Sequence, residues 1–441
     1  MESRAWAADN LAAKLLAGPW TPEAIELAIS SVLGPIHHRT RRALVARLVT
    51  LGEDAHRLSP RSLAAYLIAS NYFRPVLGRT IKTVLDTPRF APVPALAGLD
   101  IPHLSTLGEL GEWLGQSPGQ LDWMADERRS HHRTVKTPLQ HYRYAFIHKR
   151  NGKPRLVEAP KAQLKAIQRK ILHHILSAVP VHGCAHGFVP GRSCLSGAQV
   201  HAGEAMVATF DMAQFFPSIA QARVQGLFQS LGYPWAVSRR LAGLCTTATP
   251  AAVFHRLPRA QRPDRAIQAI YRVPHLPQGA PTSPALANLL AWTLDRRLHG
   301  LACSAGANYT RYADDLAFSG GEEFARGLRR FGKAVGTILH DEGFALNAHK
   351  TGVMPRRTRQ RITGIVVNDH CNIERAEFDR LKAILHNCVH AGPEAQNRSG
   401  HSDFRRHLEG RVGWVEQINP LRGAKLRRLF DQISWSSAPV T

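Results

Sequence analysis

Two adjacent carboxylates, Asp314 and Asp315, interrupt the apolar alternation of NYTRYADDLAFSG at residues 308–320, and few folds can accommodate them there. The flanking residues alternate with the period of a strand and the acids fall where the pattern turns, so the segment reads as a β-hairpin with both acids at its tip. Side by side the two charges repel, and burying either without compensation is costly. A divalent cation resolves the conflict, because hard ions such as Mg²⁺ prefer carboxylate oxygens. Neighbours on a strand point to opposite faces, so the pair cannot be equivalent ligands and a third acid is needed. Asp211, which closes the apolar strand in AMVATFDMAQFFPSI at 205–219, is the candidate. Two metal ions about 4 Å apart stabilise both the attacking and the leaving oxygen of a phosphoryl transfer.

The charge balance agrees with that chemistry. The chain carries 57 Lys and Arg against 33 Asp and Glu, a formal charge of +24, which calls for a polyanionic partner, most economically nucleic acid. At 441 residues and 44% hydrophobic composition it can bury a sizeable core, with two or three domains expected. No apolar run approaches the length of a membrane span, and the opening MESRAWAADN is acidic where a signal peptide would be basic and then apolar. Six cysteines without a C-x-x-C pair suit a reducing compartment. The expectation is a soluble cytoplasmic protein without a membrane partner.

Residues 1–125 read as a helical N-terminal extension: Thr21, Pro22 and Gly34 punctuate one helix, and Ser59 and Pro60 open another. The charged stretch within 126–140 reads as a linker. Between 141 and 172, nine Lys and Arg face a single acid, Glu158. Within that stretch KRNGKPRLVEAP reads as a hairpin turning at Asn151-Gly152, with Lys153 and Arg155 on one face, spaced to clamp a triphosphate. Residues 356–441 return to helices. ERAEFDRLKAILHNCVHAGP carries Phe378, Leu381, Ile384, Leu385, Cys388 and Val389 on one face, NPLRGAKLRRLF starts at an Asn419 cap, and the region holds 15 basic and 9 acidic residues.

These motifs, taken in order, resemble those of reverse transcriptases. Tyr312-Ala313-Asp314-Asp315 is similar to their YxDD box, and FDMAQFFPSI to their first palm motif with Asp211 as metal ligand. HGFVPGRS (186–193) resembles a fingers motif, LPQGAPTSPALANLL (276–290) the template and nucleotide motif, LNAHKT (346–351) the lysine motif, and ITGIVVN (362–368) the primer grip. LPQGAPTSP, RYADDLAFSG and TGIVVN look most like the bacterial retron type, although the Asn-Ala-x-x-His box of that type is represented only by Ala251–His255, without its Asn.

The resemblance implies an α+β right-hand polymerase: fingers and an antiparallel-sheet palm over 141–355, a helical RNA-binding thumb over 356–441, and the all-helical extension before them. It implies catalysis by Asp211, Asp314, Asp315 and Lys350, the three acids holding Mg²⁺ (or Mn²⁺ in its place). It assigns the nucleotide to Lys153, Arg155, Phe216, Gln278 and Tyr312, and the primer grip to Thr363 and Gly364. Phe216 would exclude a 2′-hydroxyl, and Lys350 would protonate the leaving pyrophosphate. The implied partners are dNTPs, a structured non-coding RNA serving as template and primer, its short RNA-linked DNA product, and an effector or toxin protein in anti-phage defence. The alternatives are a defence-associated polymerase of the same fold that is protein-primed or template-independent, and an RNA-binding scaffold with a vestigial site.

Overall fold

The structure is a computed structural model that describes residues 4–16, 18–52, 58–71, 73, 89–126, 139–148 and 154–435. It divides into two compact units, Met1–Pro88 and Arg89–Thr441. The first is built from helices Arg4–Leu16, Pro22–Leu33, His38–Val49 and Pro60–Ala69. The expected starts hold: Thr21 Oγ1 accepts from the Ala24 amide and Ser59 Oγ from the Ser62 amide, each followed by a proline at the first helical position. Gly34 ends its helix at φ 67, a conformation glycine adopts at little cost. Leu11, Ile29, Leu48, Leu63 and Leu67 are fully buried between these helices.

The second unit begins at Arg89, so the boundary expected near residue 125 moves. Helices Leu107–Leu114 and Pro118–Met124 place Leu110, Leu114, Leu121 and Met124 in the main core of this unit, against helix Trp235–Cys245. Gly243 marks the tightest approach: a Cβ there would lie 2.5 Å from the Ala125 carbonyl oxygen. Of the expected linker, residues 127–138 lie outside the described residues, as do the Asn151-Gly152 turn and Lys153.

Strands β1 (Tyr142–His148) and β2 (Pro154–Pro160) form the expected hairpin. β3 (Met206–Ala213) lies at the centre of a five-stranded sheet. On one side it pairs antiparallel with β5 (Asp315–Gly320), which pairs in turn with β4 (Ala307–Tyr312). On the other it pairs with β6 (Ala345–Leu346) and β7 (Gly352–Pro355). β8 (Arg361–Ile362) and β9 (Ile365–Val366) make a small separate hairpin. β3 is apolar along most of its length because both faces are covered. Ala208, Phe210 and Met212, with Leu316 and Phe318 from β5, enter one core together with helix Glu322–Asp341. Val207 and Ala317 face the other way, into a second core shared with Leu381, Leu385, Cys388, Leu408, Val412, Leu426 and Phe430.

Those last residues belong to helices Arg375–Ala391, Phe404–Ile418 and Pro420–Asp431. The first stops at Gly392, and the third starts where Asn419 Oδ1 caps the Arg422 amide, the cap the sequence predicts. Among the described residues, no helix is long and apolar enough to cross a membrane.

A buried histidine fastens the second face of the sheet. His201 bridges β5 and β4, with Nδ1 2.7 Å from Ser319 Oγ and Nε2 2.7 Å from Thr310 Oγ1. Burial holds its pKa down to about 3. The unfolded chain therefore takes up a proton near pH 6.5 that the folded chain refuses, and stability falls as pH drops below that value. Between pH 7 and pH 5 we expect a loss of about 2 kcal/mol. Urea titrations at both pH values, repeated on His201→Gln, would test this; an equal loss in the variant would exclude His201 as the source.

Candidate active site

The register of β3 against β5 sets Asp211 directly opposite Asp315. Residues paired across antiparallel strands project from the same face, so the two carboxylates share the face that carries Val207 and Ala317. Asp314 lies in the two-residue turn between β4 and β5, its carbonyl accepting from the Met212 amide at 3.0 Å. Ala313, the other turn residue, has φ 55, which a residue bearing a Cβ adopts rarely and at a cost. Behind it Gly187 is pressed close: a Cβ at that position would come within 2.7 Å of the Ala313 nitrogen.

The acids are held in mutual repulsion. Burial raises the pKa of Asp314, and Asp211 adds to the rise, while its own backbone amide and the charges of Lys350 and Arg155 oppose it. Burial, then Asp314 and Asp211, push Asp315 up to about 6. Asp211 is nearly inaccessible and already compensated: Lys350 Nζ lies 2.6 Å from Oδ2, and Asn347 Nδ2 donates to Oδ1 at 2.8 Å. Burial acts to lower the Lys350 pKa, but the hydrogen bond and charge of Asp211, with Asp314 and Asp315, outweigh it and leave the amine raised and protonated. Among the described residues, no three His, Cys, Asp or Glu side chains close around one point as they stand. The donor set nevertheless fits a hard cation: three neighbouring carboxylates, two destabilised as anions and one neutralised by a movable ammonium.

Phe215 is buried, its ring 5.6 Å from Phe344, whereas Phe216 is half-buried and faces Phe188 at 6.3 Å. Phe188 lies 6.2 Å from the Tyr312 ring, so Phe216, Phe188 and Tyr312 form one aromatic border. Arg155 is exposed on β2. The Gln278 carbonyl accepts from the Glu158 amide at 2.7 Å, which ties the loop after His275 to the same strand. Thr363 and Gly364 form the β8–β9 turn with φ 46 and φ 91, the pair of positive angles that a tight two-residue hairpin requires. With Tyr312, Asp315, Thr209, Cys194 and Arg361 they line a cavity of about 520 Å³.

Sequence reasoning missed the support beneath the hairpin. Arg311, fully buried, donates from Nε to Asp295 Oδ1 at 2.7 Å and from Nη2 to Oδ2 at 2.6 Å. Its Nη1 donates to Asn288 Oδ1 at 2.9 Å and to the Ala313 carbonyl at 3.2 Å. Asn288 donates in turn to the Gly187 carbonyl, and the Tyr309 hydroxyl to Asp295. The only local signal was an arginine on the inward face of β4, and its partners lie on other elements.

Comparison with known proteins agrees with this arrangement. The family described as reverse transcriptase (RNA-dependent DNA polymerase) matches residues 147–367. The chain is 39% identical over 340 residues to the retron Mx65 reverse transcriptase of Myxococcus xanthus, covering 76% of this chain and 73% of that protein. It is 36% identical over 368 residues to the retron Mx162 reverse transcriptase of the same organism (77% and 72%). To the retron Ec86 reverse transcriptase of Escherichia coli it is 30% identical over 299 residues (66% and 80%).

Proposed function

The chain belongs to the reverse transcriptases of retron type and is an RNA-directed DNA polymerase, and from that premise we propose that it copies part of a structured non-coding RNA into short single-stranded DNA joined to that RNA. The observation that carries the assignment of chemistry is the register placing Asp211 across from Asp315, with Asp314 in the adjoining turn. Asp211, Asp314 and Asp315 are the residues to hold Mg²⁺, which when bound activates the primer hydroxyl and stabilises charge on the α-phosphate and its leaving group. Until then Lys350 neutralises Asp211 and Asn347 donates to its other oxygen, which together hold the carboxylate in place. Arg155 meets the triphosphate, Gln278 the base, and Thr363 and Gly364 the primer end. Lys350, protonated at neutral pH, supplies a proton to the leaving pyrophosphate once it lets go of Asp211. The basic helices after Arg375 suit helical RNA, which is read largely through phosphates and 2′-hydroxyls. Defence against phage with an effector protein, in the cytoplasm, is the setting that fits such a product.

The test is to express the gene with its native upstream DNA and to treat the recovered nucleic acid separately with ribonuclease, debranching enzyme and protease. One main short DNA that shifts after debranching supports the proposal. A shift after protease alone, or heterogeneous DNA made without RNA, would replace it with protein-primed or template-free synthesis.

Phe216 faces the border of the site while Phe215 is buried in the core, which supports Phe216 as the group beneath the sugar. Phe216→Ala should therefore admit ribonucleotides, lowering discrimination by up to roughly 10²-fold with dNTP use largely kept. Competition between dCTP and rCTP in primer extension measures it. Unchanged discrimination would return Phe216 to packing alone.

A further inference from the structure

Glu158, the lone acid of the basic segment 141–172, is completely buried in β2 and unused by the chemistry above. Its Oε1 accepts from Thr249 Oγ1 at 2.5 Å, and its Oε2 lies 3.0 Å from His275 Nε2, the imidazole being as inaccessible as the carboxylate. His275 Nδ1 lies 2.7 Å from the Val273 carbonyl, which only a protonated Nδ1 can satisfy. Nε2 then faces the carboxylate, and one further proton shared between the two groups makes the buried pair neutral overall.

The pair joins the three walls that carry the nucleotide-facing residues. Through β2, Glu158 stands three residues from Arg155, and its amide holds the Gln278 carbonyl. Gly279, at φ 125, is needed because a Cβ there would sit 3.1 Å from the Glu158 carbonyl oxygen. From His275 the chain runs directly into this loop, and the next amide, that of Leu276, donates to the Ile219 carbonyl at the end of the Phe216 turn. Tyr271, edge-on to His275 at 5.1 Å, donates its hydroxyl to Gln214 Oε1 in that turn.

We propose that Glu158 and His275 are positioning residues that set the spacing of Arg155, Phe216 and Gln278, and so determine affinity for the incoming dNTP. This rests on the assignment of those three residues to the nucleotide pocket. Removing the carboxylate leaves the imidazole unpartnered in a dry site and frees β2 from the loop, so the pocket loses its dimensions while the acids on β3 and β5 keep theirs.

The test is steady-state primer extension on a poly(rA)–oligo(dT) template with dTTP as the varied substrate. Glu158→Ala should raise the KM for dTTP about tenfold with kcat changed by no more than about threefold. Glu158→Gln, whose amide can accept from Thr249 and donate to a neutral His275, should restore a KM near that of the parent. Thr249→Val, a milder change if Glu158→Ala does not fold, should raise KM by about threefold. Gln278→Ala serves as the control. If it raises KM and the Glu158 and Thr249 variants do not, the positioning role is overturned alone. If Gln278→Ala also leaves KM unchanged, the pocket assignment falls, and the inference with it. A fall in kcat at constant KM, or Glu158→Gln no better than Glu158→Ala, would equally overturn it.

Discussion

Asp314→Asn and Asp315→Asn should each abolish incorporation of labelled dNTP, a loss of roughly 10³-fold or more, while the protein still binds RNA. The loss follows from removing anionic oxygen from a site whose remaining donors are too few to hold a divalent ion. Binding survives because it rests on phosphate contacts across a chain of charge +24, which neither substitution touches. Nor should the variants unfold. Asp315 is already pressed toward its neutral form by burial and by Asp314 and Asp211, so an amide in its place removes repulsion, and the melting temperature should hold or rise slightly. Filter binding, primer extension and a thermal melt on the same preparations separate these effects. Full incorporation by either variant would refute the assignment of the acids.

The second large effect lies beneath the hairpin. Asp295→Ala leaves the Arg311 guanidinium buried and unpaired, which costs about 3–5 kcal/mol and should lower the melting temperature by roughly 10 °C. Replacing both partners, Asp295→Leu with Arg311→Met, should recover most of the stability, because a buried ion pair contributes little net energy over apolar residues of similar volume. Activity should not recover with it. Arg311 also grips Asn288 and the Ala313 carbonyl, and without that grip the strained turn that presents Asp314 loses its side-chain support and keeps the Met212 amide on the Asp314 carbonyl. A double variant both stable and fully active would show that the network serves stability alone.

How far the sequence could be read follows from the range of each interaction. Asp211, Asp314 and Asp315 could be picked out from their immediate neighbours, an acid late in an apolar strand and two acids where a hairpin turns, but β3 runs two residues past Asp211, and only Asp314 lies in the turn while Asp315 opens β5. The caps at Thr21, Ser59 and Asn419 were legible for the same reason. Phe216 could be named but not distinguished from Phe215 until packing separated them. Arg311, Asp295 and Asn288 meet across three elements, and no local pattern announces such a meeting. Glu158 stood out as the one acid among nine bases, yet its partners lie 91 and 117 residues away. Helices Leu107–Leu114 and Pro118–Met124 fall in the stretch expected to be helical, but only the folded chain shows that they belong to the second unit.

β3 is constrained from four directions, by strands on both edges and a separate core on each face. In a strand covered on one face alone, a shift by one residue moves its apolar set into solvent; in β3 it exchanges two packed faces with each other. Here a single deletion between Val207 and Phe210, with Val207 keeping its place, would send Phe210 toward the second core and Asp211 to the opposite side of the sheet. Length is therefore fixed along this strand even where side-chain identity is not. The exposed stretch at 256–264, which bears little of either core, is where added residues can be absorbed without moving the acids.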